Sequence, residues 1–143
     1  MQFLTGSPPS YVFARSIQSA QRIYDIENIQ LIISFQDGSI GTLTYTTLGD
    51  PSYSKEEVEV FAGQSVGRLT DYRHLTLLKK GKKYYEKRWL RPDKGFFEEL
   101  QALVASDNGN FMTSLYSTLT ILMAQKSLKT GHDEAILLND VGF

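Results

Sequence analysis

The feature that most restricts this fold is a series of short strand patterns, between residues 11 and 89, that are separated by tight turns. The clearest hairpin has Asp37-Gly38 at its turn, a dipeptide that favours two-residue connections. Parallel neighbours need crossovers of about a dozen residues or more, and the connections here are shorter. The sequence therefore predicts an antiparallel meander. Its predicted strands are residues 11–17, 28–36, 39–47, 56–62, 66–72, 74–78 and 83–89.

After residue 92 the pattern changes from strands to helices. Asp93 is a favourable N-cap, and apolar residues then recur at helical spacing through residue 104. A longer helix is predicted over residues 113–130, where Gly131 supplies the C-cap, and residues 134–138 are predicted as a short edge strand. Strands followed by helices predict an α+β fold, with an open, mainly antiparallel sheet and two helices packed on one face.

The length of 143 residues is typical of one domain, so residues 1–143 are predicted to form a single domain. Its first residues resemble the last turn of a helix, which Gly6 ends and two following prolines prevent from continuing. A single helical turn is not stable alone. We therefore expect that part of this helix precedes Met1 and that the chain is a fragment.

Composition and motifs exclude several kinds of site. The absence of cysteine excludes disulfides, thiolate metal sites and a cysteine nucleophile, and it fits the cytoplasm. No apolar run is long enough to span a bilayer and no signal peptide is recognisable, so we expect a cytoplasmic protein without a membrane partner. His74 and His132 stand alone, and no glycine-rich phosphate-binding motif occurs. We therefore expect no metal site and no nucleotide-binding loop in this chain, and these motifs identify no catalytic residue.

Basic residues are concentrated in one predicted hairpin, interleaved with Tyr84, Tyr85 and Trp89. Such a hairpin offers charge and stacking to single-stranded nucleic acid. The favoured interpretation is an edge hairpin that lysines protect against aggregation, because the net charge of −1 is not that of a nucleic-acid-binding polycation. Eight of the fifteen basic residues lie between Lys79 and Lys94, in this hairpin or directly after it: Lys79, Lys80, Lys82, Lys83, Lys87, Arg88, Arg91 and Lys94.

Six segments together carry a family resemblance that covers nearly the whole chain. They are residues 3–9 (FLTGSPP), 28–45, 55–61 (KEEVEVF), 69–73 (LTDYR), 93–96 (DKGF) and 127–131 (SLKTG). In this order they resemble the C-terminal domain of the Gfo/Idh/MocA oxidoreductases, the family of glucose-fructose oxidoreductase and inositol dehydrogenase. The resemblance implies an open antiparallel sheet of the glucose-fructose oxidoreductase type, with its helical side at the active-site cleft.

The resemblance also implies what this chain lacks. In that family an upstream Rossmann domain binds NAD or NADP and carries the catalytic lysine in a Glu-Lys-Pro motif, which is absent here. A histidine or aspartate that transfers protons typically precedes the segment matching residues 3–6. The chain is therefore expected to be inactive alone, with NAD or NADP bound by the full-length parent. Its expected partners are its own Rossmann domain and further copies that pack through the open sheet face.

The predicted function is the substrate-side and oligomerisation domain of an NAD(P)-dependent oxidoreductase acting on a sugar, a polyol or a related hydroxy compound. Lys94 matches the Asp-Lys-Gly motif and is the predicted substrate-binding residue, whereas Phe96 stands where some relatives carry histidine. Residues 31–35 form a near-continuous apolar strand with apolar residues on both faces, which favours a covered sheet face. Two alternatives stay open. One is a stand-alone module that binds nucleic acid or an acidic protein through the basic hairpin; the other is a complete small enzyme using Asp71, Arg73 and Lys94.

Overall fold

The computed structural model describes residues 1–17, 27–87 and 108–138, together with Phe97 and Gln101. The chain divides into two compact units, one formed by Met1–Leu48 with Ser106–Phe143 and the other by Gly49–Ala105. In chain order the described elements are α1 (Gln2–Thr5), β1 (Pro9–Ser16), β2 (Ile29–Phe35), β3 (Ile40–Tyr45), β4 (Glu57–Ala62), β5 (Ser65–Thr70), β6 (His74–Lys79), β7 (Lys82–Lys87), α2 (Asn108–Thr130) and β8 (Glu134–Ala135).

The first unit is an antiparallel sheet with strand order β3-β2-β1-β8, packed against helix α2. Alternate residues of β1 and β2 are buried, because side chains on a strand point to opposite faces in turn. Full burial of an aliphatic or phenyl side chain stabilises the fold by about 1.5–3 kcal/mol. The buried apolar residues of the core are Val12, Ala14, Leu31, Ile33, Phe35, Leu119, Ala124 and Ile136.

Strand β1 depends on a helix side chain for part of its hydrogen bonding. Strand β8 pairs only with Tyr11 and Val12, so the β1 backbone beyond them needs another partner on that side. The buried hydroxyl of Ser127 accepts a hydrogen bond from the Ala14 N–H at 2.9 Å and donates to the carbonyl oxygen of His132. Ser127 thereby joins helix α2 to β1 and to the turn that leads to β8.

The second unit contains an antiparallel meander with strand order β4-β5-β6-β7. None of the described residues 49–87 is buried, so every buried residue described in the chain lies in the first unit. The three turns of the second unit place non-glycine residues in the left-handed region of backbone conformation. This conformation costs about 1–2 kcal/mol for an ordinary residue. These residues are Gln64 (φ 57°), Asp71 (φ 50°), Tyr72 (φ 54°) and Lys80 (φ 50°).

The α+β class and the antiparallel pairing are confirmed, and each described strand matches a predicted one to within a few residues. Gly6 adopts the left-handed C-cap conformation expected of it, with φ 67°. Helix α2 begins at Asn108 instead of the predicted residue 113, so its start includes asparagine and glycine residues of low helix propensity. The other predicted helix falls outside the described residues except for Phe97 and Gln101, which are helical.

One detail differs from the prediction, since the strands form two sheets instead of one. Within the described residues no ladder joins β3 to β4. The Asn28 side-chain oxygen accepts hydrogen bonds from the Thr46 hydroxyl and the Thr47 N–H, which ends β3. The Asp50 carboxylate then accepts hydrogen bonds from the Ser52 N–H and hydroxyl, which stabilise a turn. These side-chain bonds use groups that a longer β3 would need for strand pairing.

We expect Ser127→Ala to lower the free energy of unfolding by about 1–3 kcal/mol, because the buried Ala14 N–H loses its acceptor. Urea denaturation followed by circular dichroism measures this change. Ser117→Ala is the matched control on the same helix, since the exposed Ser117 hydroxyl bonds only the Thr113 carbonyl oxygen. Equal losses in the two variants would show that Ser127 does not hold β1 to the helix.

Candidate functional site

The structure does not place the predicted substrate-binding residue. Lys94 and the neighbouring Phe96 lie outside the described residues, so the role of Lys94 stays a prediction. Within the part of the chain that is described, no group of three or more histidine and carboxylate side chains is arranged to hold a metal ion. No helix among the same residues combines the length and the hydropathy needed to cross a bilayer.

Asp71 and Arg73, candidates in the small-enzyme interpretation, lie in the turn between β5 and β6. The Asp71 Oδ1 atom accepts hydrogen bonds from the Lys55 N–H at 2.9 Å and the Glu56 N–H at 3.3 Å. The Arg73 N–H donates to the Thr70 carbonyl oxygen and closes the turn. Asp71 therefore anchors the start of β4 to this turn, and the observed bonds favour a structural role over a catalytic one.

The pair formed by His74 and Tyr85 was not predicted from the sequence. The His74 Nδ1 atom lies 2.8 Å from the Tyr85 hydroxyl oxygen, across β6 and β7. The contact depends on a register in which Thr76 faces Tyr85, and the two-residue turn Lys80-Gly81 sets that register. Treating Lys80-Gly81 as a two-residue hairpin turn would have indicated this pair.

The turn between β6 and β7 brings four lysines together: Lys79, Lys80, Lys82 and Lys83, which we call the lysine turn. Lys79 and Lys82 are direct partners across the ladder, and Lys83 faces Leu78. All four lysines are exposed. Tyr84 and Tyr85 follow on the same strand and are 54% and 59% exposed. Residues 79–87 contain five lysines and one glutamate, so this hairpin is strongly basic.

The face of the first sheet opposite helix α2 carries exposed apolar side chains, and we call it the open face. Tyr11, Ile32 and Ile40 on this face are 49%, 44% and 71% exposed. Thr42 and Thr44 on β3 lie on the same face, where they are opposite Ile32 and Gln30 across the β2–β3 ladder. Thr46 follows the end of β3 and bonds Asn28.

Helix α2 exposes apolar side chains on the surface that faces away from the sheet. Phe111, Ile121 and Leu122 are 62%, 58% and 49% exposed. Thr118, between them along the helix, is exposed as well and bonds the Ser114 carbonyl oxygen. The first unit therefore has two separate surfaces with exposed apolar groups, the open face and this outer side of α2.

Hydrogen bonds lower the pKa of the exposed carboxyl groups of Asp37 and Asp50 and of the partly buried carboxyl group of Glu134. The Ser39 N–H and hydroxyl lower the pKa of Asp37, and the Ser52 hydroxyl and N–H lower that of Asp50. Lys126 lowers the pKa of Glu134 most, with an ion pair of 2.7 Å, and the Thr130 hydroxyl adds a bond of 2.8 Å. These carboxylates stabilise two turns and the junction of α2 with β8. Their lowered pKa values therefore reflect structural hydrogen bonds and do not indicate an active site.

No family model and no curated relative matches this sequence. Solved structures do match its fold. An NAD binding oxidoreductase from Klebsiella pneumoniae superposes with a TM-score of 0.70 at 16% identity over 95% of this chain. An oxidoreductase from Agrobacterium radiobacter in complex with NAD+, L-tartaric acid and magnesium gives 0.65 at 15% identity over 94%. The WlbA dehydrogenase from Bordetella pertussis, in complex with NADH and UDP-GlcNAcA, gives 0.52 at 16% identity over 96%.

The chain spans less than half the length of these proteins, covering 47%, 45% and 41% of their chains. At such identities the comparison establishes the fold. This chain thus has the fold of part of an NAD-binding oxidoreductase.

We expect Glu134→Gln to lower the melting temperature more at pH 6 than at pH 3. The folded-state pKa of Glu134 lies below its ordinary value of 4.5. Its stabilising contribution is therefore complete above that ordinary value, which the unfolded chain retains, and is lost as the pH falls through the folded value. Thermal melts followed by circular dichroism at both pH values measure the difference.

The control for this experiment is Glu86→Gln, which removes an exposed carboxylate from strand β7. It should change the melting temperature little at either pH. A Glu134→Gln effect of the same size at pH 3 and pH 6 would contradict a contribution from the ionised carboxylate.

Proposed function

We propose that this chain is the C-terminal, substrate-side and oligomerisation domain of an NAD(P)-dependent oxidoreductase of the Gfo/Idh/MocA type, inactive as an isolated fragment. The observation that carries the proposal is the fold match, which covers 94–96% of this chain but only 41–47% of the three oxidoreductases compared above. The six ordered segments that resemble this family support the same assignment. In this proposal both units belong to one domain, and a nucleotide-binding Rossmann domain precedes them.

The proposed substrate is a sugar, a polyol or a related hydroxy compound. The ligands named with two of the similar structures, L-tartaric acid and UDP-GlcNAcA, both carry hydroxyl and carboxylate groups. Lys94 is the proposed contact from this chain, since an ammonium group binds either a hydroxyl or a carboxylate oxygen. NAD or NADP, bound by the parent, would supply the hydride chemistry, and this chain would form one wall of the cleft and exclude water.

The first unit has two exposed apolar surfaces, and each supports one of the two proposed protein–protein contacts. The outer side of helix α2, with Ile121 and Leu122, is proposed to pack against the Rossmann domain. The open face, with Tyr11, Ile32 and Ile40, is proposed to pack against another copy of the chain. Exposed apolar groups of this kind mark interaction surfaces when they lie together. A cytoplasmic location remains part of the proposal.

NADH binding tests the fragment proposal. We expect no binding to the 143-residue chain and binding to a protein extended upstream through the proposed Rossmann domain. Titration followed by NADH fluorescence distinguishes the two proteins, and circular dichroism confirms that both are folded. Micromolar NADH binding by the 143-residue chain would overturn the proposal that the nucleotide site lies upstream.

The oligomerisation part has its own test. We expect the 143-residue chain to form a dimer or a larger species, and Ile32→Lys to make it monomeric, because a charge would be buried in the contact. Size-exclusion chromatography with light scattering measures the mass.

Thr118→Lys is the matched control, since it adds the same charge to the outer side of α2. It should leave the oligomer intact. A monomeric unmodified chain, or an oligomer that survives Ile32→Lys, would contradict assembly through the open face.

A further inference from the structure

The lysine turn is not explained by the protection of a sheet edge. Among the described strands, β7 lies at the edge of its sheet, so Lys82 and Lys83 fit the usual defence against edge-to-edge association. Strand β6 is an inner strand, paired with both β5 and β7. Lys79, at its end, and Lys80, in the turn, therefore need another reason.

The arrangement of these lysines works against folding. Lys79 and Lys82 face each other directly, and like charges at such positions destabilise a sheet. Lys80 adopts a left-handed φ of 50°, where asparagine or glycine is preferred. Two ion pairs in the described part of the chain, Arg68 with Glu57 and Lys126 with Glu134, do not involve the lysine turn. A bound polyanion would reduce the electrostatic repulsion among these lysines.

The neighbouring tyrosines indicate which polyanion fits. Side chains alternate along β7, so Tyr84 shares a face with Lys82, and Tyr85 shares the opposite face with Lys83. Each face thus combines an ammonium group with an aromatic ring more than half exposed, about 7 Å apart along the strand. Single-stranded nucleic acid presents phosphates beside unstacked bases, and proteins bind it with this combination of basic and aromatic side chains.

We propose that the β6–β7 hairpin binds single-stranded nucleic acid without sequence preference, through phosphate contacts from the lysine turn and base stacking on Tyr84. An acidic protein segment would satisfy the charges but would supply no bases to stack. The whole chain has a net charge of −1, so the electrostatic attraction to nucleic acid comes from this hairpin and not from the protein as a whole. The proposal goes beyond the oxidoreductase assignment and does not depend on it.

Fluorescence anisotropy with dye-labelled oligothymidylate and the full 143-residue chain tests the proposal. Four neutralised phosphates on a single strand predict a logarithmic salt slope of about −2.8, so binding should weaken about 50-fold between 50 and 200 mM salt. No binding at 50 mM salt, or binding that does not respond to salt, would overturn the proposal.

Lys80→Asn separates binding from folding. This substitution creates the Asn-Gly pair that two-residue turns favour, so the melting temperature should hold or rise. Oligothymidylate binding should nevertheless weaken, and the salt slope should become shallower by about 0.7 because one phosphate contact is lost. Unchanged binding in this stable variant would overturn the proposed role of the turn.

Two further variants distinguish phosphate contacts from stacking. Tyr84→Leu keeps an apolar side chain on β7 and should weaken binding about tenfold with an unchanged salt slope. The double variant K79Q/K82Q should lose affinity, whereas the control K55Q/K129Q removes the same charge from other exposed sites and should not. Equal losses in both double variants would show a general charge effect and overturn the proposal.

A polyglutamate peptide of matched charge serves as the competitor for the acidic-protein alternative. The proposal predicts that it displaces oligothymidylate poorly, because it offers no rings to Tyr84. Displacement as effective as that by unlabelled oligothymidylate, together with unchanged binding by Tyr84→Leu, would assign the hairpin to an acidic partner instead.

Discussion

Burial of β1 and β2 beneath helix α2 is the interaction on which the described structure depends. Val12 and Ala14 on β1 pack in one core with Leu119 and Ala124 on α2, and every buried residue described in the chain lies in this unit. Because β8 is too short to pair with all of β1, the Ser127 hydroxyl completes the hydrogen bonding from the helix side. Helix α2 thus supplies both the apolar side chains that cover β1 and the hydroxyl that bonds the β1 backbone. Without the helix, the apolar face of β1 and the Ala14 N–H would be exposed to solvent.

Local signals were sufficient to predict much of this fold. Asp37-Gly38 and the alternation along residues 28–36 indicated a hairpin, and Gly6 and Gly131 marked two helix ends, each with a left-handed φ. The division into two sheets was not predictable in this way, because it depends on Asn28 capping the end of β3. Asn28 and Thr46 are far apart in sequence, and only the β2–β3 register brings them together. The contact of His74 with Tyr85 was missed for the same reason, since it requires the register of β6 and β7.

The functional proposal rests on the fold match, and the exposed apolar surfaces support it. The open face and the outer side of α2 both expose apolar groups, and similar folds occur as less than half of longer NAD-binding oxidoreductases. The lysine turn belongs to the other unit and has a different character, with repelling charges and a left-handed lysine. Salt screens electrostatic attraction and does not weaken apolar packing in this way. The two proposed kinds of interaction are therefore separable by experiment.

The central claim is that this chain completes the substrate cleft of a longer oxidoreductase. The most direct measurement is the nucleotide sequence upstream of the Met1 codon in the source gene. The account predicts an open frame that encodes a strand, a glycine-rich turn and a Glu-Lys-Pro motif, followed by a helix that continues into Gln2–Thr5. A stop codon in that frame directly before Met1 would contradict it.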